Sequence, residues 1–597
     1  MCGICGYIAL APRHFDSAPI RAMTAALAHR GPDGEGFHTE PARGAALGHR
    51  RLKVIDLSER GAQPMSDETG RRWIVYNGEI YNYRELRAEL ERDGWRFRSQ
   101  TDTEVVLLAS LAYGDAFIDK LNGDFAFALW DRDTNTLSLY RDRVGVKPLY
   151  YTLQNGLFAF ASEIKALLKH PDLKTAPNEA RFKAFLSNLY VCGKETLFTD
   201  IYELQPGEKL TFRNGEIRTK SYFDWRYLPD VRALPEPEQE ERFVELFDDA
   251  VQARLISDVP LGVYLSGGVD SSYLTARLAA HRPKAIHTYT LGFDVGDYNE
   301  FKYSQAVADR FAARHTAFTV SAREFFDVVE RVVWHYDEPM PHLVAVPQYY
   351  LAERAKPHIT VALSGTGGDE SFAGYTHYLA AQRLLEKSLD LSSADPDVAA
   401  YQGKLAPAEI AAEFKSCSQR PFVEKMIRQD GDYRGEVARH FTASPYPDFL
   451  SSMLYMDFKT HVVHMMNKED KINMAHGVEG RFPYLDWRVV EFALSLPPKS
   501  KLKGEITKHF LKRVAARHFP EDFLNRPKQA FPTPVERWFA EDKSLLRLPH
   551  LRECYGDRFD FAYIDSLIAA HSLEDRRHTR RLWGLFTLDL WLGLFFP

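Results

Sequence analysis

Gly262-Val-Tyr-Leu-Ser-Gly-Gly-Val-Asp-Ser-Ser272 reads as a short apolar strand that runs into a glycine-rich loop and then a helix. Strand, loop and helix in that order are the unit of a parallel sheet. Gly267 and Gly268 free the backbone to wrap a phosphate, and Ser266, Ser271 and Ser272 bring hydroxyl donors. The helix N-terminus adds partial positive charge. Asp270 is anionic and makes sense as a ligand of Mg²⁺ that itself holds the phosphates. No Gly-Lys-Ser/Thr follows, so the loop is not a Walker A motif. The plain alternative is a glycine-rich turn with no ligand. The pattern recurs at Ile359-Thr-Val-Ala-Leu363, which leads into Ser364-Gly-Thr-Gly-Gly-Asp-Glu370 and offers Asp369 as a second carboxylate. Two such loops from adjacent strands suit a ligand site at the carboxyl ends of a parallel sheet.

Beyond about residue 375 the chain reads as mainly helical, with a polar surface loop at Ser388 to Pro407. Asn525-Arg-Pro-Lys528 places Lys528 before Pro532 and Pro534, where its charge suits an α-phosphate or a developing intermediate. On spacing alone a solvated lysine is the simpler reading. The apolar end, Leu582 to Phe596, is interrupted by Asp589 and is shorter than the ~20 residues of a membrane span. It reads as a buried terminal helix.

Towards the N-terminus, Pro229 to Glu241 is rich in proline and acid and reads as a linker. Residues before it read as β-rich. Trp73 to Tyr76 is expected to be a strand entering a turn at Asn77-Gly78, and Gly123 to Trp130, Thr136 to Tyr140 and Phe158 to Ala161 are further strands.

The chain start carries a second chemistry. Removal of Met1 leaves Cys2 with a free α-amine, whose pKa of ~7.7–8.0 suits a general base for the thiol of the same residue. Gly3 is read as leaving room for a substrate. An inert thiol, or half a zinc site with Cys5, are the alternatives; no second cysteine pair completes the latter. Asn77-Gly78 sets an amide beside a flexible backbone N–H, as an oxyanion hole requires. Gly48-His-Arg-Arg-Leu52 and Thr101-Asp102-Thr-Glu104 offer a cation and an anion for the carboxylate and ammonium of a free amino acid. His29-Arg-Gly-Pro-Asp33 reads as a charged tight turn.

The 597 residues allow two to four domains at roughly 150 each. A net charge of −6 gives no basic excess for nucleic acid or an anionic membrane. The five cysteines (Cys2, Cys5, Cys192, Cys417, Cys554) are too scattered for a disulfide framework, and no secretory signal is visible, so a cytoplasmic setting is expected.

The N-terminal motifs, in this order, resemble the N-terminal-nucleophile glutaminase domain of class II amidotransferases. SGGVDS after a strand resembles the ATP-pyrophosphatase family. The whole chain resembles the glutamine-hydrolysing asparagine synthetases. The resemblance implies an αββα sandwich over 2–220, a linker over 221–240 and an α/β ATP-pyrophosphatase domain with a helical C-terminal part over 241–597. It implies Cys2 as nucleophile, Asn77 and Gly78 as oxyanion hole, Arg51 on the glutamine carboxylate, and Glu79 and Asp102 on its ammonium. For ATP it implies Leu265, Ser266, Gly267, Gly268, Asp270, Ser271, Leu291, Ser364 and Gly365, with Asp270 and Asp369 on Mg²⁺ and Lys528 at the adenylation transition state. Glutamine, a carboxylate acceptor and a homodimer are the implied partners.

Two departures stand out. Thr366 occupies a loop position where that family usually has an acid. Met340-Pro-His-Leu343 replaces a segment that in asparagine synthetases carries threonine and arginine for aspartate. The acceptor pocket is therefore expected to differ, unless Lys471 or Arg481 supplies the cation. A lactam-forming relative and a non-catalytic descendant are the competing readings; intact Cys2, Asn77, Asp270 and Asp369 weigh against the latter.

Overall fold

A computed structural model describes residues 2–10, 16–282, 286–295, 298–389, 406–415, 420–429, 431, 433–526, 533–573 and 578–597. Lys528, Cys417 and most of the expected surface loop at Ser388 to Pro407 lie outside those residues.

The N-terminal half holds twelve strands among the described residues: β1 (Cys2–Ala9), β2 (Gly34–Glu40), β3 (Ala45–Arg51), β4 (Met65–Ser66), β5 (Arg72–Ile80), β6 (Gly123–Asp131), β7 (Thr136–Arg141), β8 (Tyr150–Gln154), β9 (Leu157–Ala161), β10 (Tyr202–Glu203), β11 (Glu208–Arg213) and β12 (Glu216–Ser221). They form two antiparallel sheets, ordered β10-β8-β9-β1-β3-β2 and β12-β11-β7-β6-β5-β4. Period-two alternation builds the layers. Ile4 and Ile8 of β1 meet Val75, Ala126, Ala128 and Trp130 of the second sheet. Cys5 and Tyr7, pointing the other way, pack on Ile20 and Met23 of the helix Ala18–Ala25. Leu86, Leu90, Val105 and Leu108 cover the outer face of the second sheet from the helices Tyr83–Arg92 and Asp102–Ala112. The result is the expected αββα sandwich. Each fully buried large aliphatic contributes about 1.5–3 kcal/mol.

One local expectation fails here. No turn forms at Asn77-Gly78: β5 continues through them, with Asn77 opposite Ala126, Gly78 opposite Phe125 and Ile80 opposite Gly123. Gly78 is needed for close strand approach, because a Cβ there would lie 2.4 Å from the Asp124 carbonyl oxygen. Gly3 likewise serves packing, since a Cβ would meet Leu27 Cβ at 2.8 Å.

Pro229 to Glu241, expected to be a linker, is helical. Pro229–Ala233 is a short helix and Glu236–Ala253 a long one, each with proline in its first turn, where the missing N–H costs no bond. Val231, Phe243 and Phe247 are buried in the core of the second half, so apolar anchors override the acidic composition.

That half is built on β13 (Leu261–Tyr264), β14 (His287–Phe293), β15 (Arg314–Val320), β16 (Val361–Ser364) and β17 (Glu479–Arg481). All pair in parallel, in the order β15-β14-β13-β16-β17. The chain winds outwards from β13 to β15, then returns to place β16 on the other side of β13. The switch point therefore lies between β13 and β16, where the two glycine-rich loops emerge. The terminal helix Thr579–Phe595 is buried through Trp583, Leu588 and Trp591. Trp583 Nε1 donates to the Met340 carbonyl at 2.8 Å, and Asp589 Oδ1 accepts from Leu551 N–H at 2.8 Å. Among the described residues no helix is long and apolar enough to cross a membrane.

Candidate active sites

A pocket in the N-terminal half is lined by Cys2, Arg51, Gly78, Glu79 and Asp102 among others. Strand pairing gathers them: Cys2 lies opposite Arg51, and β5 brings Asn77 to Glu79 past the chain start. Cys2 N–H donates to Asn77 Oδ1 at 2.9 Å. Asn77 is fully buried, and its Nδ2 has no hydrogen-bond partner within the protein. A buried amide donor left open beside a thiol is the feature an oxyanion site needs. Arg51 is braced by the carbonyls of Ser58 (2.7 Å) and Asp56 (2.6 Å). A Cβ on Gly61 would stand 2.1 Å from Arg51 Nη2, so only glycine leaves the guanidinium its place.

Asp102 accepts from Tyr76 O–H (2.7 Å) and Ile80 N–H (3.0 Å). Glu79 Oε2 pairs with Arg481 at 3.1 Å, while Oε1 has no partner within the protein. Burial, then the nearby Asp102 charge, holds the Glu79 carboxyl well above its usual range. Burial also raises Asp102 against the pull of its hydrogen bonds from Tyr76, Ile80 and Thr103. Two carboxylates in one dry pocket raise each other, and an entering ammonium relieves both. Burial raises the Cys2 thiol as well, so a base must take its proton.

In the second half, Leu265, Leu291 and Ser364 fall side by side at the carboxyl edges of β13, β14 and β16, with Tyr264 in register with both Tyr289 and Ser364. Both leucines are buried. Ser266 Oγ lies 3.1 Å from Ser271 Oγ and accepts from Gly268 N–H at 3.2 Å. Gly267 has φ +80°, which tightens the loop at no steric cost. The two loops touch: a Cβ on Gly365 would lie 2.7 Å from Ser271 N, and one on Gly368 would lie 2.6 Å from Asp270 Oδ1. Asp270 and Asp369 meet on the ammonium of Lys508, Asp369 at 2.8 Å. Lys508 sits in the left-handed region (φ +52°), a conformation that costs a non-glycine residue about 1–2 kcal/mol. Sequence reading missed it, because a lone lysine before a short helix gives no pattern. Beside it Glu370, bonded by the Tyr375 hydroxyl, is pushed up to about 7 by burial and then by Asp369. Among the described residues no group of three or more His, Cys, Asp or Glu side chains is arranged for a metal ion. The donor set near the loops is the Asp270–Asp369 pair.

The helix His461–Met474 joins the two halves. Asp470 pairs with Arg30 at 2.6 Å; Arg30 also donates to the Cys2 carbonyl at 3.0 Å and to Glu163 at 2.8 Å. Arg30 of the charged turn at His29 to Asp33 is thus a buried brace. One residue earlier, Glu469 faces the other way. Its Oε1 accepts from Lys468 at 2.5 Å and from the Thr366 hydroxyl at 3.5 Å, and Oε2 accepts from Gln348 at 2.8 Å. A carboxylate therefore stands against Thr366 after all, supplied from a helix rather than the loop.

The proposed rescue of the acceptor pocket by Lys471 or Arg481 fails. Lys471 is buried on Asp337 (2.9 Å) and the Tyr336 carbonyl (2.7 Å), and Arg481 on Glu79 and Glu479. Met340 is fully buried. Burial, then the charge of Lys468, lowers His342 to about 3, so its ring is neutral near pH 7.

An αββα unit with a buried cysteine in its first strand, joined to a parallel sheet with two glycine-rich loops, fits a glutamine amidotransferase with a second domain. The glutamine amidotransferase domain family model matches residues 1–223, and the asparagine synthase family model matches residues 242–593. The chain is 32% identical to glutamine-hydrolysing asparagine synthetase 1 of Bacillus subtilis, over 98% of this chain and 96% of the relative. It is 30% identical to asparagine synthetase 3 of the same organism, over 89% and 87%. A Gibberella zeae protein described as an amidase is 29% identical over 86% and 84%. The chain belongs to the glutamine-hydrolysing asparagine synthetase family and is a glutamine-dependent carbon–nitrogen ligase.

Proposed function

We propose that residues 2–220 hydrolyse glutamine and residues 241–597 use ATP to amidate a carboxylate. Once Met1 is removed, the Cys2 amine takes the thiol proton and Sγ attacks the side-chain carbonyl of glutamine. The oxyanion is held by Asn77 Nδ2 and the Gly78 N–H; the C–N bond then breaks, ammonia leaves, and water cleaves the thioester to glutamate. Arg51 holds the substrate carboxylate, and Glu79 with Asp102 its ammonium. In the second half an oxygen of the acceptor attacks the α-phosphorus of ATP and pyrophosphate leaves. Ammonia then forms the C–N bond as the bond to AMP breaks.

The observation that carries this reading is the convergence of Asp270 and Asp369 on one cation at the switch point. Two hard oxygen donors already gathered around a positive charge suit Mg²⁺, which when bound neutralises phosphate charge. Lys508 belongs to the same cluster, and Lys528 keeps the role that the resemblance gives it.

Aspartate is the nominal acceptor. A second reading, an acceptor other than free aspartate, is favoured by the apolar Met340 and Leu343 and by the commitment of Lys471 and Arg481 elsewhere. An α-carboxylate left without a cation in a partly dry pocket costs several kcal/mol. Pyrophosphate release with ATP, glutamine and, in turn, L-aspartate, L-glutamate and D-glucuronate separates the two. Efficient turnover of aspartate rejects the second reading, and release with none of the three while glutaminase is intact counts against amidation of a free carboxylate.

A further inference from the structure

Arg481 ends β17, the edge strand of the parallel sheet, yet its guanidinium reaches into the other half of the molecule. It is fully buried. Nε donates to Glu479 at 2.6 Å, and Nη1 donates to the carbonyls of Arg254 (2.9 Å) and Ile256 (2.6 Å). Those bonds fix the guanidinium plane, and the remaining edge, Nη2, meets Glu79 Oε2 at 3.1 Å. Glu79 is 3% exposed, its other oxygen has no hydrogen-bond partner in the protein, and the residue lines the pocket that holds Cys2 and Asp102.

We propose that Arg481 is a positioning residue of the glutaminase: it aims the free oxygen of Glu79 at the substrate α-ammonium. This rests on the reading of Glu79 as part of the glutamine pocket. The argument is electrostatic as well as geometric. The groups around Glu79 are Asp102, at the start of its helix, and Glu479, on β17, both acidic; Arg51 on β3, Arg481 and the chain's amino terminus, all cationic; and Tyr76 on β5 and Cys2 on β1. With Arg481 gone, three carboxylates face one arginine and the chain's amino terminus in a largely buried site. The Glu79 carboxyl is then raised further and its attraction for an ammonium weakens. One cation that acts on the glutamine pocket thus comes from the synthetase half, and an excised N-terminal unit lacks it.

The test uses the full-length chain and glutamine hydrolysis without an acceptor, from pH 6 to 9, in Arg481→Gln, Arg481→Lys and Glu479→Gln, with melting temperatures recorded. Arg481→Gln is expected to raise KM for glutamine at least tenfold with kcat within about threefold, and the rise should steepen as pH falls. In a Glu79→Gln background the same change should move KM less than twofold, since nothing remains to be positioned. Glu479→Gln, which removes the competing carboxylate and keeps Arg481, should leave KM equal or lower; it carries the test if the arginine variants fail to fold. An unchanged KM in folded Arg481→Gln, equal effects in both backgrounds, or a raised KM in Glu479→Gln overturns the proposal. If Glu79→Gln itself leaves KM unchanged, it is the pocket assignment that falls.

Discussion

Replacing Asn77 with alanine removes a fully buried amide whose Oδ1 accepts from Cys2 N–H at 2.9 Å and whose Nδ2 has no other partner in the protein. In the mechanism above that Nδ2 faces the oxyanion. One preorganised oxyanion donor is worth about 2.7–4 kcal/mol, or 10²–10³ in kcat. Losing the acceptor for the Cys2 nitrogen adds about 1 kcal/mol by loosening the base. Asn77→Asp separates the two effects, because it keeps an acceptor for Cys2 and lacks the donor. Both variants should lose at least 100-fold in kcat for glutamate formation at saturating glutamine, with alanine the slower. The assay follows glutamate release and is paired with a melting curve to confirm folding. A folded Asn77→Ala within tenfold of the wild type would refute the assignment of Nδ2 and shift the oxyanion to backbone donors alone.

Cys2→Ala should abolish glutamine hydrolysis and retain synthesis from ammonium chloride; loss of both in a folded variant would contradict separate sites. Asp270→Asn should reduce pyrophosphate release by at least 100-fold and spare glutaminase, because it removes charge from the loop pair that meets Lys508. Near-normal ATP turnover would remove Asp270 from the site. Glu370, with its carboxyl raised to about 7 by burial and Asp369, contributes stability that is full below the usual carboxylate pKa and is lost as pH rises through about 7. Glu370→Gln mimics the protonated form, so its melting temperature relative to wild type should improve between pH 5 and pH 8; a difference independent of pH would rule this out.

Much of this architecture is readable from short-range pattern. Ile4 and Ile8 against Cys5 and Tyr7 show the two faces of β1, and the two strand–glycine loops declare a parallel sheet. Asn77-Gly78 misleads, because the turn preference of that pair is local and the ladder to β6 is not. The helices around Pro229 and Glu236 were hidden by acidic composition, since their stability comes from Val231 and Phe243 buried against distant residues. The candidate site residues that carry a motif, Cys2, Asn77, Asp270 and Asp369, stand out in the sequence. Lys508, Glu469 and Arg481 could not, because each acts across more than 100 residues of chain through a single side chain. The fate of Lys471 was invisible for the same reason: only the fold shows that Asp337 consumes it.

The most direct test of the two-site account follows the nitrogen. Wild-type chain is given glutamine labelled with ¹⁵N in the side-chain amide, ATP, Mg²⁺ and the carboxylate that best supports pyrophosphate release. The account predicts one ¹⁵N-amide in the acceptor and one AMP per pyrophosphate. Transfer of the label should vanish in Cys2→Ala, while unlabelled amide still forms from ammonium chloride. Pyrophosphate release with no label in the acceptor, or label transfer that survives Cys2→Ala, would contradict it.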